Sequence, residues 1–566
     1  MRRGPGGTEG AKGRQLNDGH PPRPGPRPFR YPARWASLLA GGVPVVLVFP
    51  DLSLSYVAWF ALVPGIIVFT RSGTAREAVA RGWWFGAGYL LAMMWFFAPE
   101  IGPAVLLIGG VFGAMWSPFA IACWQLLRPG PRPWPRFLAA LAVLPATWLI
   151  PEWIRSYQGL GGPWDLYGAS QWQHPAVLAL AAVGGVWLVS VALVIANAGI
   201  AATVIAWLRM GGPRRPGLAA AGLAALVASA GAGPLAFALT APLPVARAVT
   251  VALVQPGIDR HPTPGVNASQ ALTASLTGHA AAAGVRPDLI VWGESSVGED
   301  LTLPSSAPLL RQIEALAARD GAEILAGQDA SPPGRGHEKW AVLISPAGIK
   351  GIYVKSRLVP FGEYIPFRQE LGWLASISEA ARSNMIPGPG ARVITATDRA
   401  GRPLPVGVLV CFESAFPDMS RADADNGAQL VVYQSATVTF QGTWGPEQHA
   451  SLAAIRAAET GRPVVQAALT GDTAAFDARG RELAWLGQSG HGVVTVRLEL
   501  PAGPARTFYD RAGDYVLWTG VAVSATFLLF LVAGPAALRR RGFLAHTTGA
   551  GDGGAAEYGA DTGQPV

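Results

Sequence analysis

Seven apolar segments follow one another along the first 241 residues of this chain, and an eighth stands alone near the C-terminus. They cover about 35–50, 52–70, 83–98, 101–127, 137–151, 175–208, 216–241 and 514–537. A helix needs roughly 20 apolar residues to cross a bilayer. Only 14% of the residues are charged, against about 25% in a typical soluble domain. The pattern predicts a multi-pass α-helical membrane domain with about eight spans.

The charges of the short loops predict the orientation of these spans. Arginines crowd the stretch before the first segment, the loops 71–81, 128–136 and 209–215, and the stretch after the last segment. The loops between them hold few or no basic residues. In the first of these loops, Asp51 is the only charged residue. Because cytoplasmic loops are rich in Lys and Arg, both termini are expected in the cytoplasm. The protein is thus expected in the cell membrane. Its net charge of +8 is explained by the basic cytoplasmic loops, so no nucleic-acid partner is predicted.

Composition divides the chain into five predicted parts. They are a disordered basic cytoplasmic arm over 1–34, a bundle of seven spans over 35–245, an extracytoplasmic catalytic domain over 246–500, a connector with the last span over 501–541, and a disordered cytoplasmic tail over 542–566. In the catalytic part, strand-like runs alternate with Ala-rich helical stretches, which is typical of an α/β domain with a buried sheet. The strand-like runs are 249–254, 288–293, 322–326, 340–345, 350–355, 393–397, 405–410, 429–434, 463–468 and 491–498.

Three ionisable residues stand at the ends of such runs. Cys411, one of only two cysteines, ends the apolar run 408–410, whereas Glu294 and Lys355 end two others. A thiol has a pKa near ~8.5, so a nucleophilic cysteine needs a base or a nearby cation. Glu294 can supply the base and Lys355 the cation, and the alternative is a buried structural cysteine. Metal-ligand spacings and phosphate-binding Gly motifs are missing from the sequence, so neither a metal nor a cofactor is predicted.

The same residues carry a resemblance to a known family. Glu294, Lys355 and Cys411, in this order and spacing, resemble the Glu-Lys-Cys triad of the nitrilase (carbon-nitrogen hydrolase) superfamily. The stretch 353–366, Tyr-Val-Lys-Ser-Arg-Leu-Val-Pro-Phe-Gly-Glu-Tyr-Ile-Pro, resembles the lysine motif of bacterial apolipoprotein N-acyltransferases, and 450–463 is also similar to that family. So is the order of seven spans, a nitrilase-like domain and a last span, and the composition resembles actinobacterial members.

The resemblance implies a fold, an activity and a set of roles. The catalytic domain would be a nitrilase-like αββα sandwich, with Glu294 as general base, Lys355 as oxyanion stabiliser and Cys411 as acyl-accepting nucleophile. Glu363 and Glu413 match two supporting glutamates of the family. The implied reaction moves a fatty acyl chain from a membrane phospholipid to the N-terminal diacylglyceryl-cysteine amine of an apolipoprotein, through a Cys thioester and without a cofactor.

Two further functions stay open at this point. The stretch 434–442 lacks the Asn, Asp and Trp that many family members have there, which keeps a non-catalytic, lipoprotein-binding membrane protein among the alternatives. The other is a membrane-tethered nitrilase-type amidase or hydrolase. Stability of an acyl-enzyme toward water separates this hydrolase from the transferase, and formation of an acyl-enzyme separates both from the binding protein. Trp164, Tyr167 and Trp172 are expected at the membrane interface, as entrance or as anchors.

Overall fold

A computed structural model of the protein describes residues 31–164, 166–208, 214–257, 266–373, 384–503 and 506–548. The first helix begins at Tyr31, inside the predicted basic arm 1–34, and residues 1–30 of that arm lie outside the described residues. The last helix continues to Thr548, past the predicted boundary at 541. The rest of the predicted tail lies outside the described residues.

The N-terminal part is helical. Its helices are α1 Tyr31–Val48, α2 Val63–Thr70, α3 Ala75–Met93, α4 Ala98–Ile101, α5 Ala104–Phe112, α6 Ser117–Leu127, α7 Pro133–Arg155, α8 Pro175–Leu178, α9 Ala181–Trp207 and α10 Pro216–Leu239. Together with the C-terminal helix, they cover all eight predicted apolar segments. By length and composition, five described stretches are able to cross a bilayer. These are Val105–Leu127, Pro133–Arg155, Ala181–Trp207, Pro216–Leu239 and Tyr515–Ala533.

Glycines allow α1 and α3 to pack backbone against backbone. A Cβ atom on Gly88 of α3 would lie 2.0 Å from the carbonyl oxygen of Leu38, and one on Gly41 of α1 would lie 2.0 Å from that of Phe85. Only a residue without a side chain fits at either position, and such small residues are typical of close helix pairs in membranes. Both helices are apolar on several sides, so hydrophobicity does not indicate which faces meet. The glycines are the sequence feature that does.

Two six-stranded sheets form the second part of the molecule. The strands are β1 Val245–Gln255, β2 Leu289–Trp292, β3 Glu323–Ala330, β4 Glu338–Ser345, β5 Gly348–Val354, β6 Val393–Thr397, β7 Pro403–Val410, β8 Leu430–Ser435, β9 Val464–Ala468, β10 Thr473–Phe476, β11 Glu482–Leu486 and β12 Gly492–Pro501. The first sheet has the order β12-β1-β2-β3-β4-β5 and the second the order β11-β10-β9-β8-β7-β6. Strands β1, β2 and β3 are parallel, as are β7, β8 and β9, and the flanking pairs are antiparallel.

Helices cover the outer faces of the two sheets. They and the C-terminal helices are α11 Val266–Ala282, α12 Ala307–Asp320, α13 Arg368–Leu371, α14 Pro417–Asp425, α15 Gly445–Thr460, α16 Phe508–Ala512 and α17 Tyr515–Thr548. Side chains of β1 alternate as a strand requires: Val251 and Leu253 face the second sheet, whereas Ala252 and Val254 face α11 and α12. The predicted α/β domain is thus confirmed, with two sheets face to face between helical layers.

All ten predicted strands are present, but β10 and β11 were not predicted. Each is short, and glycines at 471 and 480 adjoin them with positive φ angles of 114° and 75°. Such glycines are strong turn signals, so the surrounding sequence indicates loops. The strands exist because the edge of the second sheet offers them backbone partners, which is a tertiary effect.

The helical part contacts the sandwich with one end only. The Gln158 side-chain amide donates to the carbonyl oxygen of Leu358 over 2.8 Å, and the backbone N–H of Val186 in α9 donates to the Glu459 carboxylate over 2.7 Å. At the other end the basic loops contact each other, as where Arg215 donates to the carbonyl oxygen of Gly130 over 3.2 Å. Basic loops and catalytic domain therefore lie at opposite ends of the helices.

Candidate active site

Cys411 follows β7 directly and opens a 3₁₀ turn over Cys411–Ala415. Its φ angle is +52°, a left-handed conformation that is uncommon for a residue with a side chain and is found at functional sites. The carboxylate of Glu413 accepts the backbone N–H of Val410 over 2.8 Å, which fixes the end of the strand. The turn leaves Cys411 half-buried between the sandwich and the helices.

Glu294 and Lys355 reach the same place from the other sheet. Glu294 stands just beyond β2 and Lys355 just beyond β5. The Lys355 ammonium lies 3.4 Å from a Glu294 carboxylate oxygen, and both groups are close enough to Cys411 for their charges to act on its thiol. All three residues predicted for the triad are therefore brought together across the seam between the two sheets.

The surroundings of Cys411 keep its thiol protonated at rest. Burial and, after it, the negative charge of Glu294 raise the pKa of the Cys411 thiol to about 12, although the Lys355 ammonium acts in the opposite direction. Burial by itself would lower the pKa of Lys355, but the charges of Glu294 and Glu363 more than reverse this, so its pKa lies above the usual value. Lys355 thus stays charged, and the Glu294 carboxylate is placed to take the thiol proton when a thiolate forms.

Glu363 forms a direct contact with the triad lysine. Its carboxylate accepts a hydrogen bond from Lys355 Nζ over 2.6 Å and another from the backbone N–H of Val359 over 2.9 Å. Lys355 is therefore shared between two carboxylates, with Glu363 the nearer. Glu363 therefore fixes the position of Lys355 Nζ, and the positive charge of Lys355 also acts on Glu294.

Glu413 lies outside this contact and holds two loops together. The side chain is fully buried, and one carboxylate oxygen accepts hydrogen bonds from Tyr353 Oη (2.8 Å), the backbone N–H and hydroxyl of Ser356 (2.7 and 2.8 Å) and the backbone N–H of Arg357 (3.0 Å). Glu413 therefore joins the turn after Cys411 to the loop after Lys355. In this arrangement it positions the two residues rather than contacting the thiol.

Lys339 is a site residue that sequence reasoning missed. It lies on β4, opposite Asp329 of β3 in the sheet register. Its ammonium lies 4.0 Å from Glu294 Oε1, pairs with Asp329 over 2.8 Å and donates to the Ser295 hydroxyl over 2.6 Å. Glu294 thus stands between two ammonium groups, Lys355 and Lys339. The sequence offered no signal, since a lysine on a strand usually faces solvent.

His449 is close to Cys411 but lacks the charge of a catalytic partner. Its Nε2 atom lies 3.2 Å from the hydroxyl oxygen of Ser414, which belongs to the turn that Cys411 opens. Burial lowers the pKa of His449 to about 4, so the ring is neutral at pH 7. The ring therefore supplies a contact to the Ser414 side chain in the turn after β7, and no positive charge beside the thiol.

Aromatic side chains fill the junction between the helices and the site. The Trp164 ring lies 5.9 Å from the His449 ring and 5.5 Å from Phe96, and Phe440 lies 4.8 Å from Phe97. Phe440 belongs to the stretch 434–442 that departs from the family pattern. Rings from both parts of the molecule thus form an apolar patch beside Cys411.

The other two rings expected at an entrance have structural contacts. Tyr167 is buried and donates from its hydroxyl to the carbonyl oxygen of Ala58 over 2.6 Å. Trp172 is also buried and packs against Trp485 with ring centroids 5.3 Å apart. Of the three, only Trp164 lies beside the candidate site. Among the described residues, no group of three or more His, Cys, Asp or Glu side chains is arranged to hold a metal ion.

Both the helical part and the sandwich match models of known protein families. The family model of the apolipoprotein N-acyltransferase N-terminal domain matches residues 41–199, and that of carbon-nitrogen hydrolases matches residues 250–503. A curated apolipoprotein N-acyltransferase of Allorhizobium ampelinum is 31% identical over 481 residues, which cover 80% of this chain and 86% of the relative. The enzyme of the same name from Chlorobaculum tepidum is 28% identical over 548 residues, covering 91% and 97%. Among solved structures, Saccharomyces cerevisiae Nit3, of the nitrilase superfamily, aligns over 45% of this chain and 91% of its own, with 18% identity and a TM-score of 0.35.

Proposed function

The chain belongs to the apolipoprotein N-acyltransferase family and N-acylates lipoproteins, and we propose that it does so through a thioester on Cys411 with a membrane phospholipid as acyl donor. The observation that carries this mechanism is the meeting of Glu294, Lys355 and the Cys411 thiol across the seam of the two sheets. A carboxylate, an ammonium and a thiol gathered at one place can supply a base, an oxyanion partner and a nucleophile.

In the first half-reaction, Glu294 takes the thiol proton as Cys411 Sγ attacks the ester carbonyl of the phospholipid. The negative charge that develops on the carbonyl oxygen is stabilised by the Lys355 ammonium, which Glu363 holds in place. The ester C–O bond breaks, and the leaving oxygen takes the proton from Glu294. The products are a lysophospholipid and an acyl thioester on Cys411.

In the second half-reaction, the α-amine of the diacylglyceryl-modified cysteine attacks the thioester carbonyl. Lys355 again stabilises the oxyanion, the C–S bond breaks, and an amide forms. Glu294 takes the proton that the amine loses and returns it to the Cys411 thiolate, so the enzyme is regenerated. The apolar patch of Trp164, Phe96 and Phe440 supports this sequence, because exclusion of water lets a thioester wait for an amine.

We propose eight spans, with both termini in the cytoplasm and the catalytic domain outside. Five stretches satisfy length and composition by themselves, and α1, α2 with its preceding turn, and α3 would complete the number. The grouping of the basic loops at the end of the helices opposite the sandwich supports this orientation, since basic loops favour the cytoplasmic side. An outward catalytic domain meets lipoproteins in the leaflet where they are anchored.

A defined reaction tests the mechanism. The purified enzyme is incubated with phospholipid and a diacylated lipopeptide, and products are followed by mass spectrometry. We expect a triacylated lipopeptide with a hydroxylamine-stable amide, together with lysophospholipid, and a hydroxylamine-labile acyl group on the enzyme alone. Cys411→Ala should give neither. Free fatty acid as the sole product would instead indicate the hydrolase, and absence of any acyl-enzyme would favour the binding protein.

A further inference from the structure

Arginines from two separate loops meet at one glycine, at the end of the helices remote from Cys411. The Arg215 guanidinium donates to the carbonyl oxygen of Gly130 over 3.2 Å. On the side of Gly130 where a Cβ would stand, Arg136 Nη1 lies 2.6 Å from that position. Arg128 is close enough for its charge to act on Arg136, as does that of Arg215. Arg128, Arg136 and Arg215 are called the arginine cluster below.

Apart from Glu152 at the far end of α7, the helices that carry this cluster contain no carboxylate to neutralise it. Residues 101–151 and 166–258 hold neither Asp nor Glu, and none of the three arginines forms an ion pair within the described part of the chain. Three positive charges gathered at a partly buried site repel one another, and the repulsion is greater where water is scarce. A counter-anion from outside the protein would remove this cost.

Apolar side chains surround the cluster on the side of the helices. Trp134, Leu138, Trp207 and Leu208 are 48%, 62%, 56% and 65% exposed. The Arg128 guanidinium lies 4.1 Å from the ring centroid of Trp124, which orients it beside this apolar surface. A ligand that fits both features has an anionic head and apolar tails, which distinguishes a lipid from a free anion.

We propose that Arg128, Arg136 and Arg215 bind the phosphate headgroup of a membrane phospholipid, whose acyl chains lie along the exposed side chains of α7 and α9. This lipid is not the acyl donor. Arg136 is in the first turn of α7 and Arg155, which ends α7, donates to the carbonyl oxygen of Trp164 beside the candidate active site. At 1.5 Å per residue, α7 separates the two places by about 30 Å.

The site can be blocked by a single internal carboxylate. In Gly130→Asp, the new carboxylate stands beside Arg136 Nη1, on the residue whose carbonyl oxygen accepts from Arg215. It adds a negative charge to the cluster and competes with a phosphate for it. Gly130→Asn has the same shape without the charge. The φ angle of Gly130 is not in the left-handed region, and the atom nearest to the new Cβ is the flexible end of Arg136, so both variants should fold.

Lipid binding is measured by native mass spectrometry on the delipidated full-length protein in neutral detergent, with phosphatidylglycerol as the probe. We expect Gly130→Asp to weaken binding at least about 10-fold and Gly130→Asn less than about 3-fold. Arg136→Gln combined with Arg215→Gln should weaken it about 30-fold, since each arginine near a lipid surface contributes appreciably. The matched control removes two exposed arginines of the catalytic domain, Arg311→Gln with Arg399→Gln, and should bind as the unmodified protein does.

Three results would overturn the proposal. Equal binding by the Asp and Asn variants would remove the role of charge. Diacylglycerol binding as tightly as phosphatidylglycerol would remove the role of the phosphate. Displacement of the lipid by millimolar inorganic phosphate would assign the cluster to a free anion instead of a lipid.

Discussion

At the scale of single residues, the site combines a strained nucleophile with a fixed pair of charges. Cys411 has a left-handed backbone, and Glu413 fixes the end of the strand before it by accepting the N–H of Val410. Its thiol is a poor nucleophile at rest, because burial and Glu294 keep it protonated. In the proposed mechanism, reactivity depends on transfer of this proton to Glu294, and an experiment can distinguish that transfer from simple exposure of the thiol.

The pKa of Cys411 predicts an unusual pH dependence of alkylation. With a pKa of about 12, the thiolate fraction rises about 10-fold per pH unit, so modification by iodoacetamide should climb from pH ~7 to pH ~10 without the plateau expected near pH ~8.5 for a free thiol. Glu294→Gln removes a negative charge and should speed alkylation, yet slow acylation by phospholipid about 100-fold. Cys411→Ala corrects for Cys123, which is buried. A plateau near pH ~8.5 in the unmodified protein would contradict the raised pKa.

Lys339 is expected to act through Glu294. Lys339→Met removes one of the two ammonium groups beside this carboxylate and should slow formation of the hydroxylamine-labile acyl-enzyme roughly 10-fold, or ~1.4 kcal/mol in the barrier. Lys339→Arg, which keeps the charge, should restore most of the rate. Lys350→Met is the control, because Lys350 pairs with Glu323 on a strand edge. A purely structural lysine would lower the melting temperature in Lys339→Met while leaving the rate unchanged.

At the scale of elements, α15 connects the sandwich to the helices. Its Glu459 accepts a hydrogen bond from Val186, where α9 has non-helical angles at Gly184 and Gly185, and pairs with Arg456 over 3.1 Å. The break in α9 frees the N–H group that Glu459 accepts. Pro446 just inside the start of α15 and Gly461 just past its end are typical helix-boundary residues. Nothing in the sequence indicates that Glu459 meets α9, because the two partners are far apart along the chain.

The raised pKa of the buried Glu459 carboxyl predicts that the stability of the protein falls as pH rises. Burial raises the pKa of Glu459 to about 7, and that of Asp510 in α16 also to about 7. The folded protein thus holds protons that the unfolded chain has lost above pH ~4.5, so the free energy of unfolding decreases between pH ~4.5 and pH ~7. The melting temperature in detergent should be higher at pH ~5.5 than at pH ~8. Glu459→Gln, which keeps an acceptor for Val186, should reduce this difference, and an unchanged difference would assign the effect to other groups.

At the scale of the whole molecule, the sequence predicted what depends on local pattern. The periodic strands, the apolar segments and the three strand-end residues were all evident from it, because each pattern depends only on residues that are close in sequence. The structure adds what depends on distant partners: β10 and β11 at a sheet edge, Lys339 brought to Glu294 by the pairing of β3 with β4, and Glu413 bridging two loops. Trp172 was expected at an interface. It is buried instead, because it packs against Phe476 of β10 and Trp485 of β11, the two strands that were not predicted.

The proposed orientation predicts which surfaces are reached from outside the cell. In a Cys411→Ala background, Ser331→Cys lies on an exposed loop of the sandwich and Arg214→Cys on an exposed basic loop. A membrane-impermeant maleimide should label residue 331 in intact cells and residue 214 only after permeabilisation. The buried Cys123 serves as the unlabelled background. Labelling of residue 214 from outside would reverse the orientation and with it the location of the reaction.

The division of the site between the two sheets also has a consequence for biogenesis. Glu294 and Lys355 are supplied by the first sheet and Cys411 by the second, so the nucleophile has neither base nor oxyanion partner until the halves of the domain have docked. A nascent chain emerging among phospholipids carries an ordinary, unassisted thiol. With the proposed roles, we expect the chain to acylate itself only after the two halves of the domain have docked.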